Sequence, residues 1–164
     1  MNIFSKDKAL NSLSLKNPIH FLALGFGSGL AAKAPGTFGT LAAIPLYLLM
    51  APLSLPWYIA LTLLSVFAGF YICDKAAKDM GVHDHGAIVW DEFAGLFITM
   101  IAAPVGWMWL LVGFALFRFF DIIKPWPIRW LDAKVKGGFG IMIDDVLAGI
   151  FSLICLQLLA YYFA

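Results

Sequence analysis

The chain has 164 residues, a length typical of one domain. Hydrophobic residues make up 62% of it and charged residues 13%, so a chain this small cannot bury its apolar surface in a single core. This composition argues against a soluble monomer and predicts one membrane-embedded domain over residues 1–164. Its 11 basic and 10 acidic residues leave a net charge of +1. A strongly basic face is therefore absent, and we expect no nucleic-acid partner.

Residues 1–17 contain lysines but no apolar run, which is unlike a cleaved signal peptide. We expect them to form a cytoplasmic N-terminal tail. The two cysteines, Cys73 and Cys155, both lie in apolar stretches and are not spaced like a disulfide framework or a zinc site.

Five apolar stretches predict an all-α, polytopic membrane helical bundle of about five spans: Thr37–Leu55, Trp57–Cys73, Ala87–Ala103, Trp107–Phe120 and Ile141–Phe163. A spanning helix needs about 17–25 residues, so the second, third and fifth stretches are long enough and the fourth is short. A sixth apolar piece, His20–Ala32, is too short and too rich in glycine to span. It is expected to be a re-entrant or interfacial segment.

The loops between these stretches alternate in charge. Residues 1–36, 74–86 and 118–136 carry charged side chains, whereas 51–56 and 104–106 carry none. The positive-inside rule then places the three charged loops in the cytoplasm, with the N-terminus inside and the C-terminus outside. Any polar chemistry is expected at the cytoplasmic surface of the membrane.

Two pairs of acidic residues, Asp91-Glu92 and Asp144-Asp145, begin the same pattern, D-x-x-A-G-[LI]-F, counted from Asp91 and from Asp145. The aspartate and the glycine are four residues apart and share a helix face, and the glycine allows another helix to approach closely. Two parallel helices are therefore predicted to bring carboxylates together at one depth, where a divalent cation would balance their charge. The alternative is that these acids only stabilise the first turns of their helices.

Arg118, Asp121 and Lys124 are spaced by three and share one side of a helix end. Arginine binds phosphate through two parallel hydrogen bonds, and lysine supplies a point charge. Asp121 is a further candidate metal ligand. The alternative is a positive-inside anchor with an internal salt bridge.

The glycine-rich segment 25–29, which includes Ser28, precedes Lys33 and the sequence Pro35-Gly36-Thr37. No Walker loop is present, because no Gly-Lys-[Ser/Thr] occurs. Free N–H groups at the start of a helix attract anions, and Lys33 and Thr37 would reinforce that attraction. The alternative is a flexible glycine-rich turn.

The sequence His83-Asp84-His85 lies in the second charged loop. It offers too few ligands for a zinc site, whereas one histidine could act as a general acid or base. An ordinary polar loop is the simplest interpretation.

Together these segments closely resemble the phosphatidylglycerophosphatase A family, from about Asn17 to Gly149. The resemblance rests on residues 25–29, 35–39, 88–92, 117–128 and 144–149. One departure is Ala31-Ala32, where a Ser-Pro is common, and it affects only the shape of a loop. The resemblance implies a Mg²⁺-dependent lipid phosphatase of the bacterial inner membrane, which converts phosphatidylglycerophosphate to phosphatidylglycerol and phosphate.

From the residues and the resemblance together, we assign expected roles. The expected Mg²⁺ ligands are Asp91, Glu92, Asp121, Asp144 and Asp145. Arg118 and Lys124 are expected to hold the phosphate, with secondary contacts from Ser28, Lys33, Gly36 and Thr37. The catalytic set is expected to be Asp91, Glu92 and Asp145, with His85, Asp84 or a metal-bound water as proton donor. Direct attack by water is preferred, and an aspartate nucleophile stays open.

Three alternatives to this function remain at the level of sequence. A small transporter or ion-pathway protein also carries acids in broken helices, but usually near the middle of the bilayer. A phosphatase for another lipid phosphate would share the same residues. A non-enzymatic assembly subunit would need neither the acidic pairs nor the basic row.

Overall fold

The computed structural model describes residues 8–163, and every regular element in this range is helical. The α-helices are α1 Pro18–Ala23, α2 Pro35–Met50, α3 Leu55–Met80, α4 Trp90–Thr99, α5 Trp107–Ile123, α6 Ile128–Lys134 and α7 Gly137–Phe163. Two short 3₁₀ segments cover Leu10–Ser12 and Gly25–Leu30. The prediction of an all-α protein is confirmed over these residues.

Two of the described helices, α3 and α7, are long and apolar enough to cross a membrane. They have 26 and 27 residues, which at 1.5 Å per residue is about 40 Å each, more than the roughly 30 Å of hydrocarbon. The second and fifth predicted stretches are therefore confirmed as helices of spanning length. The prediction of about five spans is not confirmed.

The third stretch was predicted to be long enough to span, and this is wrong. Its helix, α4, has only 10 residues, or about 15 Å. The chain turns after it, and Ala102 adopts a φ of 53°. Gln157 of α7 replaces the lost helical hydrogen bonds, because its Nε2 donates to the carbonyl oxygens of Ile101 (2.8 Å) and Ala102 (3.1 Å).

The short helix α4 lies at the centre of the fold. Residues 92–99 are all buried, and α4 contacts α2, α3, α5 and α7. Tyr58 of α3 also donates its hydroxyl hydrogen to the Phe97 carbonyl oxygen at 2.8 Å. A helix enclosed in this way is surrounded by protein and does not need to cross the lipid by itself.

The predicted glycine contact between two parallel helices is confirmed for α4 and α7. A Cβ built on Gly149 would lie 2.7 Å from the Gly95 carbonyl oxygen, so the two backbones touch there. Further along, Gln157 reaches Ile101, so both helices run in the same direction. Because Asp145 also lies beside Gly95, this contact sets the depth of the acidic residues.

We expect Gly149→Ala to destabilise the protein, because a methyl group there overlaps the Gly95 carbonyl group and forces α4 and α7 apart. Overpacking of this kind costs about 1–3 kcal/mol. Thermal unfolding of the purified protein in mild detergent measures the effect. Gly86→Ala is the matched control, because its Cβ would meet only the Pro35 ring, at 3.7 Å. Equal unfolding temperatures for the two variants would contradict the close contact.

Two other helices differ from the predicted stretches at their ends. The first stretch begins as a helix at Pro35 and ends at Met50, with Pro45 inside. The short fourth stretch becomes helical at Trp107, its predicted first residue. It gains length at its other end instead, because α5 continues to Ile123 and so carries Arg118 and Asp121 within the helix.

The cytoplasmic N-terminal tail over residues 1–17 stays a prediction. Residues 1–7 lie outside the described residues, but the chain after them folds onto the bundle: Leu13 is buried, and the Ser14 N–H donates to His20 Nδ1 at 3.0 Å. His20 Nε2–H then donates to Asp79 Oδ2 at 2.8 Å. The segment His20–Ala32 is broken as expected, since Phe26 has a φ of 58°.

The outer surface of the helices is apolar. Leu49, Leu64, Phe67 and Tyr71 are each more than 60% exposed. Charged side chains instead gather where α3 and α5 end and where α4 and α7 begin, and the turns 51–54 and 100–106 carry none. Such a surface is suited to lipid, with one polar end.

Candidate active site

Three carboxylates from three helices meet at the polar end of the bundle. Glu92 lies in the first turn of α4, Asp121 in the last turn of α5 and Asp145 in the third turn of α7. One oxygen of each lies within 4.8 Å of the other two. We call these three residues the acidic group. The sequence predicted all three as metal ligands, and the parallel contact of α4 with α7 explains why two of them meet.

Arg118 lies against the acidic group. Its Nη1 contacts Glu92 Oε2 and is 2.8 Å from Asp121 Oδ2. Its Nε is buried and has no hydrogen-bond partner among the described residues. The guanidinium therefore retains a donor that an anion entering the site can use.

Lys124 lies at the end of α5, where the chain adopts a φ of 47°. Its Nζ is 2.6 Å from Asp144 Oδ2 and 3.0 Å from Asp132 Oδ2. Burial lowers the pKa of Lys124, but the charges and hydrogen bonds of Asp144 and Asp132 outweigh burial and raise this pKa above its ordinary value. The side chain is therefore a permanent cation. Asp132 was not singled out from the sequence, because nothing in its local pattern marks it.

Two buried carboxylate oxygens lack a hydrogen-bond donor. Asp144 Oδ1 and Asp145 Oδ2 have no partner among the described residues. Unpaired buried carboxylates are costly, and a cation or an added proton relieves that cost. The three carboxylates of the acidic group offer hard oxygen donors, the ligand type that Mg²⁺ prefers, and Arg118 and Lys124 lie beside them. The donor set therefore fits a divalent cation of this kind.

The other two predicted metal ligands lie beside the acidic group and do not belong to it. Asp91 is the first acidic residue of α4, and its Oδ1 accepts the N–H of Glu92 at 3.1 Å, as a residue in a first turn does. Asp144 precedes Asp145 on α7 and binds Lys124. The first-turn role was anticipated as the alternative for the acidic pairs, whereas the pairing of Asp144 with Lys124 was not anticipated.

The start of α2 forms another wall of the site. A Cβ on Gly36 would overlap Glu92 Oε1 and lie 3.3 Å from Arg118 Nη1. Only glycine leaves this space open, so the predicted position of Gly36 at the site is supported. One turn later, Thr40 Oγ1 is 2.8 Å from Glu92 Oε2.

Thr40 was missed by sequence reasoning. It is buried, and it faces Glu92 because it follows Gly36 by four residues on the same helix face. That spacing is the signal that could have found it. Thr37, which was predicted instead, is half-buried in the first turn of α2, and its side chain forms no hydrogen bond with another described residue.

Ser28 and Lys33 were predicted to contact the phosphate, but neither is bonded to the acidic group. Ser28 Oγ donates to the Gly25 carbonyl oxygen at 2.7 Å and so closes its own turn. That turn packs on the segment before α4, since a Cβ on Gly29 would overlap the Ala87 carbonyl oxygen. Lys33 is exposed in the connection that leads to α2. Neither residue contacts the acidic group through a hydrogen bond or ion pair in the described part of the chain.

The loop between α3 and α4 joins the starts of three helices. His83 Nε2 accepts the Gly137 N–H at 3.1 Å, which ties the loop to α7, and Gly86 lies beside Pro35 of α2. His85 Nδ1 accepts the Ala87 N–H at 3.1 Å, so the neutral ring carries its proton on Nε2. Asp84 is exposed.

An acidic group, an arginine and a lysine thus lie together at the polar end of an apolar helical bundle, an arrangement suited to binding a phosphate ester. The model of the family Phosphatidylglycerophosphatase A matches residues 21–160. The chain belongs to this family, which confirms the resemblance drawn from its motifs.

Two similar proteins carry the name of the family, and a third carries a different name. The chain is 55% identical over 150 residues to phosphatidylglycerophosphatase A of Escherichia coli K12, covering 90% of this chain and 86% of that protein. It is 52% identical over 160 residues to the Haemophilus influenzae protein of that name, covering 96% and 98%. A putative phosphatidylinositol-3-phosphatase of Bacteroides thetaiotaomicron is 43% identical over 141 residues, covering 81% and 87%. No solved structure matches.

Proposed function

We propose that this protein hydrolyses phosphatidylglycerophosphate to phosphatidylglycerol and phosphate at the cytoplasmic face of a bacterial inner membrane. The observation that carries the proposal is the acidic group with Arg118 beside it, in a chain 55% identical to a phosphatidylglycerophosphatase A. The phosphomonoester of this substrate projects from the lipid surface. The polar end of the apolar bundle would lie at that surface and could bind this group.

The proposed topology places the N-terminus inside and the C-terminus outside. Helices α2, α3, α5 and α7 would cross the lipid, and α4 with its turn at 100–106 would complete the remaining crossing. Support comes from the uncharged turns at one end and the charged loops at the other.

Topology is testable by cysteine labelling in a background lacking Cys73 and Cys155. Ser54→Cys is expected to react with a membrane-impermeant thiol reagent from the periplasm. Lys78→Cys and Lys134→Cys are expected to react only after the inner membrane is opened. All three positions are exposed, so burial does not prevent labelling. The reverse pattern would overturn the cytoplasmic location of the site.

Mg²⁺ is the proposed cofactor. Glu92, Asp121 and Asp145 would hold it, and the unpaired oxygens of Asp144 and Asp145 support this assignment. When bound, Mg²⁺ supplies Lewis-acid chemistry, which lowers the charge on phosphate oxygens and the pKa of bound water.

The chain's own residues would position the reactants. Arg118, through its unpaired Nε, and Lys124 would hold the phosphate, with Lys33 and the N–H groups at Gly36-Thr37 as secondary contacts. These interactions stabilise the charge on the phosphate oxygens.

Proton transfers complete the proposed reaction. A carboxylate of Asp91, Glu92 or Asp145 would accept a proton from water as its oxygen attacks phosphorus. The bond between phosphorus and the glycerol oxygen then breaks, and that oxygen takes a proton from His85 Nε2 or from Asp84.

The direct test is phosphate release from phosphatidylglycerophosphate in mixed micelles of an uncharged detergent. We expect release with Mg²⁺, and loss of release when EDTA removes the metal. A transporter or an assembly subunit would release no phosphate under either condition. EDTA-resistant hydrolysis would reject the metal assignment and keep the phosphatase.

The name of the Bacteroides relative suggests a second candidate substrate, phosphatidylinositol 3-phosphate. It too carries its phosphomonoester on a polyol head group. Comparing kcat/KM for the two lipids in the same micelles decides between them, and we expect the higher value for phosphatidylglycerophosphate.

A further inference from the structure

A groove of ≈620 Å³ opens beside the acidic group, where the chain turns from α5 into α6. Its lining includes Lys124, Trp126, Arg129 and Trp130. None of the roles proposed so far uses this groove beyond Lys124. Its occupant can be inferred from its charge, its aromatic walls and its position.

Lys124 connects the groove with the proposed active site. That side chain lines the groove and also binds Asp144, the residue before Asp145 of the acidic group. A molecule whose terminal phosphate reaches the acidic group therefore extends its next chemical unit past Lys124. In phosphatidylglycerophosphate that unit is a glycerol, followed by the phosphodiester that joins it to the diacylglycerol.

Arg129 is the second cation of the groove. It is exposed and forms no ion pair with any residue in the described range, unlike Arg118 and Lys124. A guanidinium with free donors binds a phosphodiester through parallel hydrogen bonds. The groove contains no acidic lining residue that would compete for it.

The two tryptophans suggest that the groove lies at lipid head-group level. Trp126 is 81% exposed and Trp130 is 54% exposed. Tryptophan concentrates at the membrane–water interface, where its ring is apolar and its N–H is wet. The occupant is therefore an anionic group held at that depth.

We propose that Arg129 binds the internal phosphodiester of the lipid substrate in this groove and so determines specificity for lipids whose phosphomonoester is carried on a phosphodiester-linked head group. This inference rests on the proposed function, since it concerns the same substrate. The competing explanation is that Arg129 only attracts the anionic membrane surface, as exposed lysines near a membrane do.

Lys134 provides the matched control. It is an exposed cation on the same short helix and does not line the groove. A general attraction to the membrane treats the two cations alike, whereas binding in the groove depends on Arg129 alone.

The kinetic test compares Arg129→Gln with Lys134→Gln on phosphatidylglycerophosphate in uncharged micelles. We expect Arg129→Gln to raise KM about ten-fold or more with little change in kcat, as the loss of one charge-assisted hydrogen bond implies. Lys134→Gln should leave both constants unchanged. Equal effects of the two substitutions, or an unchanged KM for Arg129→Gln, would overturn the proposal.

A binding measurement separates this inference from the proposed function. Phosphatidylglycerol has the phosphodiester and no phosphomonoester, and diacylglycerol of the same chain length has neither. The wild type and Lys134→Gln are expected to prefer phosphatidylglycerol, and Arg129→Gln to lose that preference. If all three proteins bind the two lipids alike, the inference is wrong even when hydrolysis is normal. If the preference follows Arg129 but no lipid phosphate is hydrolysed, the proposed function is wrong and the groove assignment stands.

Discussion

Asp145→Asn is expected to abolish phosphate release while the protein still inserts and folds. The amide keeps the shape of the side chain but removes a charged oxygen ligand from the acidic group, at a position that is only 2% exposed. We expect a loss of at least about 100-fold in kcat/KM, equivalent to roughly 2.7 kcal/mol in the barrier. Initial rates at several Mg²⁺ concentrations measure the change.

Asp79→Asn is the control for this substitution. Asp79 is also a carboxylate on a long helix, but its partners are His20 and Lys75, away from the acidic group. Its amide variant should retain nearly full activity per folded molecule. If Asp145→Asn keeps more than about a tenth of the wild-type rate, a loss of under ~1.4 kcal/mol, the assignment of the acidic group as a metal site is wrong.

Arg118→Lys is expected to lower kcat/KM by roughly ten- to a hundred-fold although the charge is kept. In the wild type, the guanidinium contacts Glu92 and Asp121 through Nη1, and its Nε is available for the phosphate. Lysine has a single ammonium group and cannot make both sets of contacts. Losing one charge-assisted hydrogen bond costs about 1.5–3 kcal/mol. Steady-state kinetics on phosphatidylglycerophosphate provide the measurement.

The dependence of the rate on Mg²⁺ should change little in Arg118→Lys, because a cationic side chain is not a metal ligand. Membrane insertion should also be unchanged, since the positive-inside rule treats arginine and lysine alike. Unaltered kinetics would favour the interpretation of Arg118 as a topology anchor. The phosphate contacts would then pass to Lys33 and the Gly36-Thr37 turn.

The residues of the acidic group were predictable because Asp121 and Asp145 lie in local patterns that repeat or have helical spacing, and Glu92 directly follows the repeated residue Asp91. Asp145 repeats the arrangement of Asp91 four residues before a glycine, and Asp121 stands three residues after Arg118. Each of these patterns lies within a single helix, so the sequence of one segment is enough to detect it. Asp132 has no such pattern, and Thr40 has only its spacing of four residues from Gly36. Their roles come from Glu92 and Lys124, which lie on other helices.

The sequence by itself determined the helical class, the apolar surface and the gathering of charge at one end. Composition and charge can be read segment by segment, and the membrane accepts apolar segments while charged segments stay in water. The sequence also determined that Gly95 and Gly149 allow a close contact. The tertiary structure decided which carboxylates meet and where α4 ends. A periodic apolar stretch does not reveal whether lipid or protein will surround it. Here four helices enclose α4, and Gln157 satisfies the carbonyl groups at its end, so the chain can turn after 10 helical residues. In the assembled bundle, ending α4 early costs little free energy, because other helices surround it. The short helix can therefore hold Glu92 beside Asp121 and Asp145.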